Sequence, residues 1–509
     1  MKKIVTLSAI AFLSTAAFAV DADVQKQIDE LNQKIEQLQK TNSSQDKKIS
    51  EVNAQSAQNN IKFNVDFRTS YDNLRYKTAS GETFSNDALY ASRLWLGMGY
   101  APTEDMLFKG QLAYNKAFGA SYGQRGTGFG FDTFDWVINE NLTDDTLRVR
   151  EAYWLWNLRT GSIGWTASVG RRPSTNGFLS NLREDDAKAK SPMGHVINME
   201  FDGASVAMKL DSYVPGMYAK LCLGRGLTNA TGWAAQAASY LGVPPSMGGS
   251  NQPTNYTKDG SNLDNVDMAG FIFVPYDNGQ YSVETTWYRG FNVPGLVATN
   301  ITVDAMGNQI PTAYAMKNTG NMDGAAISFK ADGIGEGISD FLDETTLFAS
   351  AAMSKSHPNI DNTRAINMSA MGMGTMNMTG SSMLGSNESE TGTSIWIGAV
   401  MPNLTGGKFG LEYNHGSKYW RPFTYGEDTM IGSKMAVRGN AYEAYWSQPI
   451  IKDVFSMQVR YTYLDYKYTG SNGFFGDEGT PMSMSEAKAM GMDPVETAQD
   501  IRVYFRYRY

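Results

Sequence analysis

From residue 61 to the C terminus, apolar and polar residues alternate in steps of two. Ile61, Phe63, Val65 and Phe67 are interleaved with Lys62, Asn64, Asp66 and Arg68, and Leu94, Leu96, Met98 and Tyr100 with Arg93, Trp95, Gly97 and Gly99. Phe455, Met457, Val459, Tyr461 and Tyr463 follow the same rule, and the chain ends on Ile501, Val503, Phe505, Tyr507 and Tyr509. A period of two sends successive side chains to opposite faces of a strand, so each segment has one apolar and one polar face. Sixteen strands are predicted, at 61–71, 89–101, 106–118, 146–158, 163–172, 196–211, 216–226, 267–275, 280–290, 322–331, 345–355, 392–401, 408–417, 435–447, 453–468 and 498–509.

The connections alternate too. Every second one is a short turn, such as Tyr276-Asp277-Asn278-Gly279, and the others are long and rich in Gly, Ser, Asn and Thr. A sandwich has no reason to keep that asymmetry, whereas a transmembrane barrel does. Hydrocarbon offers backbone N–H and C=O groups no partner, so the strands must close on themselves. The predicted fold is an all-β, 16-stranded antiparallel transmembrane β-barrel over 61–509. Tyr100, Trp165, Trp287, Tyr413 and Tyr509 stand near strand ends, where interfacial girdles belong.

The N terminus is patterned differently. Lys2 and Lys3, the apolar stretch Ile4 to Phe18 and Ala17-Phe18-Ala19 read as a signal peptide over 1–19. Residues 20–60 then follow a period of 3.5, with Ile28 and Ile35 at one seam position, Leu31 and Leu38 at the other, and Asn42 as a polar residue able to fix register. The rest of this α-helical coiled-coil segment is polar, so two or more copies must bury the seam together. Ile and Leu in these positions lean towards two strands. The alternative is a lone amphipathic helix against the barrel.

Composition narrows the class. Charged residues make up 19% and aromatics 12%, with 51 Gly and 16 Pro, which is too polar for a helical membrane bundle and too aromatic for a disordered chain. The net charge of −8 with no basic face argues against a nucleic-acid partner. A lone cysteine, Cys222, excludes a disulfide framework and a CxxC redox pair.

The signal peptide, the sixteen-strand alternation and the final Ile-Arg-Val-Tyr-Phe-Arg-Tyr-Arg-Tyr resemble Gram-negative outer-membrane porins. Phe505, Tyr507 and Tyr509 are similar to the terminal signal read by the barrel-assembly machinery, with Tyr509 where phenylalanine is commoner. Val169 to Gly177 and Gly410 to Trp420 further resemble a poorly characterised porin-like family of epsilon-class proteobacteria. The resemblance implies a channel integral to the outer membrane and its lipid, often a homotrimer, with the N-terminal segment in the periplasm and no cofactor. No counterpart of the wall-binding domain that precedes the coiled coil in some stalked porins is read in residues 20–60, so attachment to the cell wall is not expected.

Porin selectivity comes from charges at a constriction, often shaped by the third long loop folding inward. That loop, Pro173 to His195, contains Arg183, Glu184, Asp185, Asp186, Lys188 and Lys190. By parity with outward Val149 and Val169, Arg148, Arg150 and Arg172 aim inward. Loop carboxylates facing these arginines would set a transverse field that favours polar solutes. The alternative is a solvated loop tip. Inward strand positions hold more Arg and Lys than Asp and Glu, among them Arg68, Arg93, Lys109, Lys220, Arg460, Arg502 and Arg506, so a weak preference for anions is expected. Two runs break parity, and bulges are expected at Arg150-Glu151 and between Arg438 and Glu443.

Other chemistry finds little support. The Met368 to Met383 loop carries soft sulfur suited to Cu(I), yet its Gly, Ser, Thr and Asn setting reads as a flexible loop, and no metal site is assigned. Three histidines, with no HExxH and no GxSxG, argue against an enzyme. The expected function is passive diffusion of small hydrophilic solutes. The alternatives are a substrate-specific channel with a saturable lumen site and a barrel-anchored adhesive surface protein.

Overall fold

The computed structural model describes residues 61–509 apart from 121–141, 143–146, 173, 187, 191, 228–229, 232–256, 259–264, 304, 306–308, 336, 360–364, 368–374, 378–383, 387, 425–426 and 472–479. The signal peptide, the seam Ile28, Leu31, Ile35, Leu38 and Asn42, and most of the methionine-rich loop lie outside the described residues.

Sixteen antiparallel strands close into a barrel. They are β1 (Lys62–Thr78), β2 (Thr83–Tyr100), β3 (Met106–Ala117), β4 (Arg148–Thr160), β5 (Ile163–Arg172), β6 (Phe201–Lys209), β7 (Tyr218–Leu227) and β8 (Val266–Asp277). The second half comprises β9 (Tyr281–Val303), β10 (Gln309–Asp332), β11 (Thr346–Pro358), β12 (Thr391–Pro402), β13 (Lys408–Gly416), β14 (Gly439–Ile451), β15 (Phe455–Tyr466) and β16 (Val495–Arg508). Each strand pairs with its sequence neighbours, and β1 pairs with β16 from Asp66↔Arg508 to Thr78↔Val495. Among the described residues no helix is long and apolar enough to cross a membrane.

The alternation sorts the side chains as a membrane demands. Val149, Val169, Leu221, Leu223, Phe271, Ile327, Ile395, Ile397, Val459 and Ile501 are exposed on the outer face. Their strand neighbours Arg150, Ser168, Ser205, Ser328, Ser394, Arg460 and Arg502 are buried inside. An apolar skin around a polar interior is the design of an outer-membrane-type barrel. Tight turns close one end. In the β8–β9 turn, Asn278 Oδ1 accepts from the N–H groups of Gln280 and Tyr281, and Gly279 takes φ +93°, a conformation glycine adopts without a Cβ clash.

Several expectations change. About ten residues of tilted strand cross a bilayer, but β1 and β2 have 17 and 18 residues and β9 and β10 have 23 and 24. The first and fifth long loops are therefore largely strand, hairpins that continue past the membrane. Residues 196–200, expected as strand, instead sit inside the barrel as irregular chain. The first expected bulge is present: Gln111 faces Glu151 while Leu112 faces Val149, leaving Arg150 as the extra residue. Both Arg150 and Glu151 consequently point inward, and Trp154 and Trp156 point out. The second expected bulge is absent. Arg438 lies ahead of β14, and the register from Gly439 to Ser447 is unbroken, with Ala441, Glu443 and Tyr445 all inward.

Candidate functional site

Two segments fold from the long-loop end into the barrel. The first, residues 174–200 between β5 and β6, turns at Asn176, Leu179 and Asp185, all at positive φ, and holds one short helix, α1 (Ser180–Arg183). Leu179, Met193, Val196, Ile197 and Met199 make it apolar enough to bury. The second, residues 417–438 between β13 and β14, ends in a 3₁₀ turn at Lys434–Ala436 that Ser433 caps. Its Trp420 donates Nε1–H to the Met435 carbonyl at 2.7 Å. The two segments meet backbone to backbone: Asn198 N donates to Phe423 O at 2.6 Å and Phe423 N to Val196 O at 2.9 Å.

One side of this insert is apolar. Met193, Val196, Ile197, Trp420 and Phe423 pack with Val266, Tyr288, Val293, Met322, Ala326 and Ala352 from β8 to β11. His195 sits fully buried at its edge, within hydrogen-bond distance of Ser350 Oγ (2.7 Å) and Ser394 Oγ (2.9 Å), with Trp396 and Trp420 edge-on. Burial lowers its pKa to about 3, so the imidazole is neutral.

The other side is ionic. Arg68 binds both oxygens of Asp428, at 2.5 and 2.8 Å, and Arg502 and Arg460 reach the same carboxylate at 3.0 and 3.5 Å. Arg183 meets Glu427 at 3.0 Å and Glu443 at 3.5 Å, while Lys434 bridges Glu412 (2.6 Å) and Glu443. Glu184 lies within 4.0 Å of Arg68, Arg183, Arg460 and Arg506. Arg506 and Arg508 also donate to the Glu184 carbonyl, both at 2.8 Å, placing cations at the α1 C terminus, where the free carbonyls attract them. Burial alone would raise the pKa of Asp428, but Arg68 and Arg502 hold it well below the carboxylate range. For Glu184, burial and Asp428 push up while Arg183, Arg93 and Arg68 pull down, leaving it at about 2.

The constriction residues expected from the sequence are thus split. Arg183, Glu184 and Asp186 face β14, β15, β16 and β1, whereas Arg148, Arg150 and Arg172 stand on β4 and β5. Asp186 meets Arg506 and Arg508, and Asp185 is exposed beside Lys408 at the short-turn end. The loop therefore reaches the opposite mouth. Arg150 binds Glu200 at 3.2 Å and Gln111 at 2.8 Å, and it stacks with Arg93 about Trp95 at 4.1 and 3.6 Å from the ring centroid. Arg172 donates to Ser168 Oγ, and Arg148 is half-buried. Phe505, Tyr507 and Tyr509 stand exposed on the outside of the last strand.

Counting strands alone missed the neutralisation. Among the described residues, nine arginines, Lys434 and nine carboxylates are buried, and seven of those arginines with Lys434 lie within 4.0 Å of a carboxylate. Glu184, Glu200 and Glu427 of that set, with nearby Asp428, come from the inward segments. The second segment was missed as a lumen element. Its signal was available in Trp420, Phe423, Met435 and Val437, too apolar a set for a solvated loop.

Residues 83–509 match the family model described as protein of unknown function (DUF3373). The chain belongs to this family. No curated protein matches the DUF3373 chain. Solved structures similar to it include OprB of Pseudomonas putida, with 10% identity, coverage of 88% of this chain and 94% of that one, and a TM-score of 0.44. OmpF of Salmonella typhi has 9% identity, coverage of 89% and 99%, and a TM-score of 0.42. OmpT of Vibrio cholerae has 9% identity, coverage of 88% and 97%, and a TM-score of 0.41.

Proposed function

We propose that the protein is a Gram-negative outer-membrane channel that passes small hydrophilic solutes by diffusion. The supporting observation is the sorting of side chains: charged and hydroxyl groups crowd the interior of a barrel whose outside is apolar. A structural anchor would have no use for a charged lumen, because burying ions is costly. The two inward segments make the passage narrow, so size exclusion is tight. They also favour a second reading, a substrate-specific channel with a saturable lumen site, over wide general diffusion.

In this proposal residues 1–19 are removed on export, 20–60 form a periplasmic coiled coil holding copies together as a homotrimer, and Phe505, Tyr507 and Tyr509 engage the assembly machinery. Arg148, Arg150, Arg172, Arg183, Glu184, Asp185 and Asp186 are the proposed lumen and constriction set. The test is conductance of the purified protein in planar bilayers, followed by liposome swelling with neutral sugars and organic acids of increasing size. Discrete small conductance steps support the reading. A folded barrel that never conducts at any salt concentration defeats it.

A further inference from the structure

The first inward segment leaves a recess against the wall. On the inner face of β6–β9, beside Pro192 and Ile197 of that segment, lies a cleft of about 500 Å³, partly open to solvent. It exists because the wall has few side chains there. Gly203 of β6 pairs with Gly170 of β5 and Gly224 of β7, and Gly270 of β8 opposes Cys222. At Gly203 the backbone demands glycine, since a Cβ would press into the Leu223 carbonyl. Gly270 is different. A Cβ there would meet its nearest neighbour, the Trp287 carbonyl oxygen, at 3.4 Å, an ordinary contact. The backbone would accept a side chain at this point, so the space is not a by-product of close strand approach.

The lining is mostly apolar, with Ile197, Phe201, Met268 and Ile272 supplying hydrocarbon and aromatic surface. Two polar groups border it. Arg172, half-buried at the end of β5, donates Nε–H to Ser168 Oγ at 2.9 Å. Among the described residues no carboxylate pairs with its terminal guanidinium nitrogens. On β9, Thr286 is 3% exposed and its hydroxyl has no hydrogen-bond partner among the described residues. A buried hydroxyl left in that state costs free energy, which a ligand atom in the cleft would recover. Glu284, the next inward residue of β9, is engaged electrostatically with Lys220, and neither lines the cleft.

We propose that this cleft is a binding site for a small monocarboxylate with a compact apolar body. A mostly apolar recess with a few polar groups at its border is the common form of a small-molecule site. The apolar part of the ligand displaces water from the glycine patch and its hydrocarbon rim. Its single negative charge meets a single guanidinium, whose planar fork of donors matches a carboxylate. A doubly charged phosphate finds one cation too few, and a neutral apolar solute leaves Arg172 unanswered. The site gives the substrate-specific reading above a location and a substrate class. Its part in transport rests on that reading, whereas binding itself does not.

The test is equilibrium dialysis of radiolabelled benzoate with the full-length protein folded in detergent. Detergent alone is the blank, and heat-modifiable gel mobility is the check on folding. One saturable site per barrel is expected. Benzyl alcohol, the neutral analogue, should compete less well by roughly tenfold or more, and Arg172→Gln should weaken benzoate by a similar factor. Gly270→Val, which fills the recess, is expected to weaken benzoate and benzyl alcohol alike, and Gly270→Ala serves if the valine barrel does not fold. Absence of saturable uptake by the folded wild type overturns the proposal, as does benzoate binding that either substitution leaves unchanged in a folded barrel. A conducting barrel that binds no benzoate removes the site and spares the channel reading. Benzoate held by a barrel that never conducts keeps the site and defeats the channel reading alone.

Discussion

Replacing Asp428 by Asn tests what holds the second inward segment in place. The side chain keeps its volume and loses its charge. Asp428 is 10% exposed and serves Arg68, Arg502 and Arg460 together. Removing one partner from a buried ion pair costs about 3–5 kcal/mol, because the opposite charge stays behind without compensation. At about 1.4 kcal/mol per tenfold, docking of residues 417–438 weakens by about two to three and a half orders of magnitude. Two assays read this. Limited trypsin digestion reports release, since Arg421, Lys434 and Arg438 are all nearly inaccessible while docked. Single-channel recording reports the wider lumen as larger and noisier openings. If the folded D428N barrel resists trypsin like the parent and conducts with the same step size, the ion cluster is not the tether.

Three further outcomes are expected. Gly170 has φ +130°, and a Cβ there would lie 2.2 Å from the Ala152 carbonyl oxygen, so Gly170→Ala should destabilise the barrel by about 1–3 kcal/mol, read as an earlier midpoint of heat-modifiable gel mobility. Acidification should loosen the insert: His195 has its pKa lowered to about 3 when docked and takes a proton once exposed, so stability present above about pH 6.5 is lost as pH falls towards 3, by about 1.4 kcal/mol per unit. Glu184, at about 2, and Asp428 add to the loss only below about pH 4, and trypsin sensitivity between pH 7 and 4.5 should flatten in His195→Asn. On the proposed coiled-coil reading of residues 20–60, Ile35→Asn should abolish the cross-linked oligomer that this reading predicts, while conductance per barrel persists; an unchanged cross-linking pattern refutes that reading.

The barrel was legible in the sequence because the membrane enforces a strict contrast. A residue such as Ile501 or Arg502 has only two choices of face, and period two declares which. The bulge at Arg150 was legible for the same reason, since a carboxylate at Glu151 has no place in lipid. The interior was less legible. A polar side chain such as Arg460 points inward whether it meets water or Asp428, so alternation reports the face and is silent on the partner. Glu184 and Asp428 lie 276 and 32 positions before Arg460 in chain order, and only the closed barrel brings them together. Extended hairpins were read as loops because strands standing clear of lipid lose the apolar face that marks them, as with polar Asp72, Asn73, Asn86 and Asp87 in β1 and β2.

Asp428 grips Arg68 of the first strand and Arg502 of the last, and these two strands become neighbours only when the seam zips shut. The cluster is therefore an electrostatic latch on closure. In a sheet still open at this edge, Arg68 and Arg502 would stand apart, with Asp428 unable to bind both. Closing the cylinder brings all three into one buried cluster, which couples docking of the second inward segment to pairing of the first and last strands.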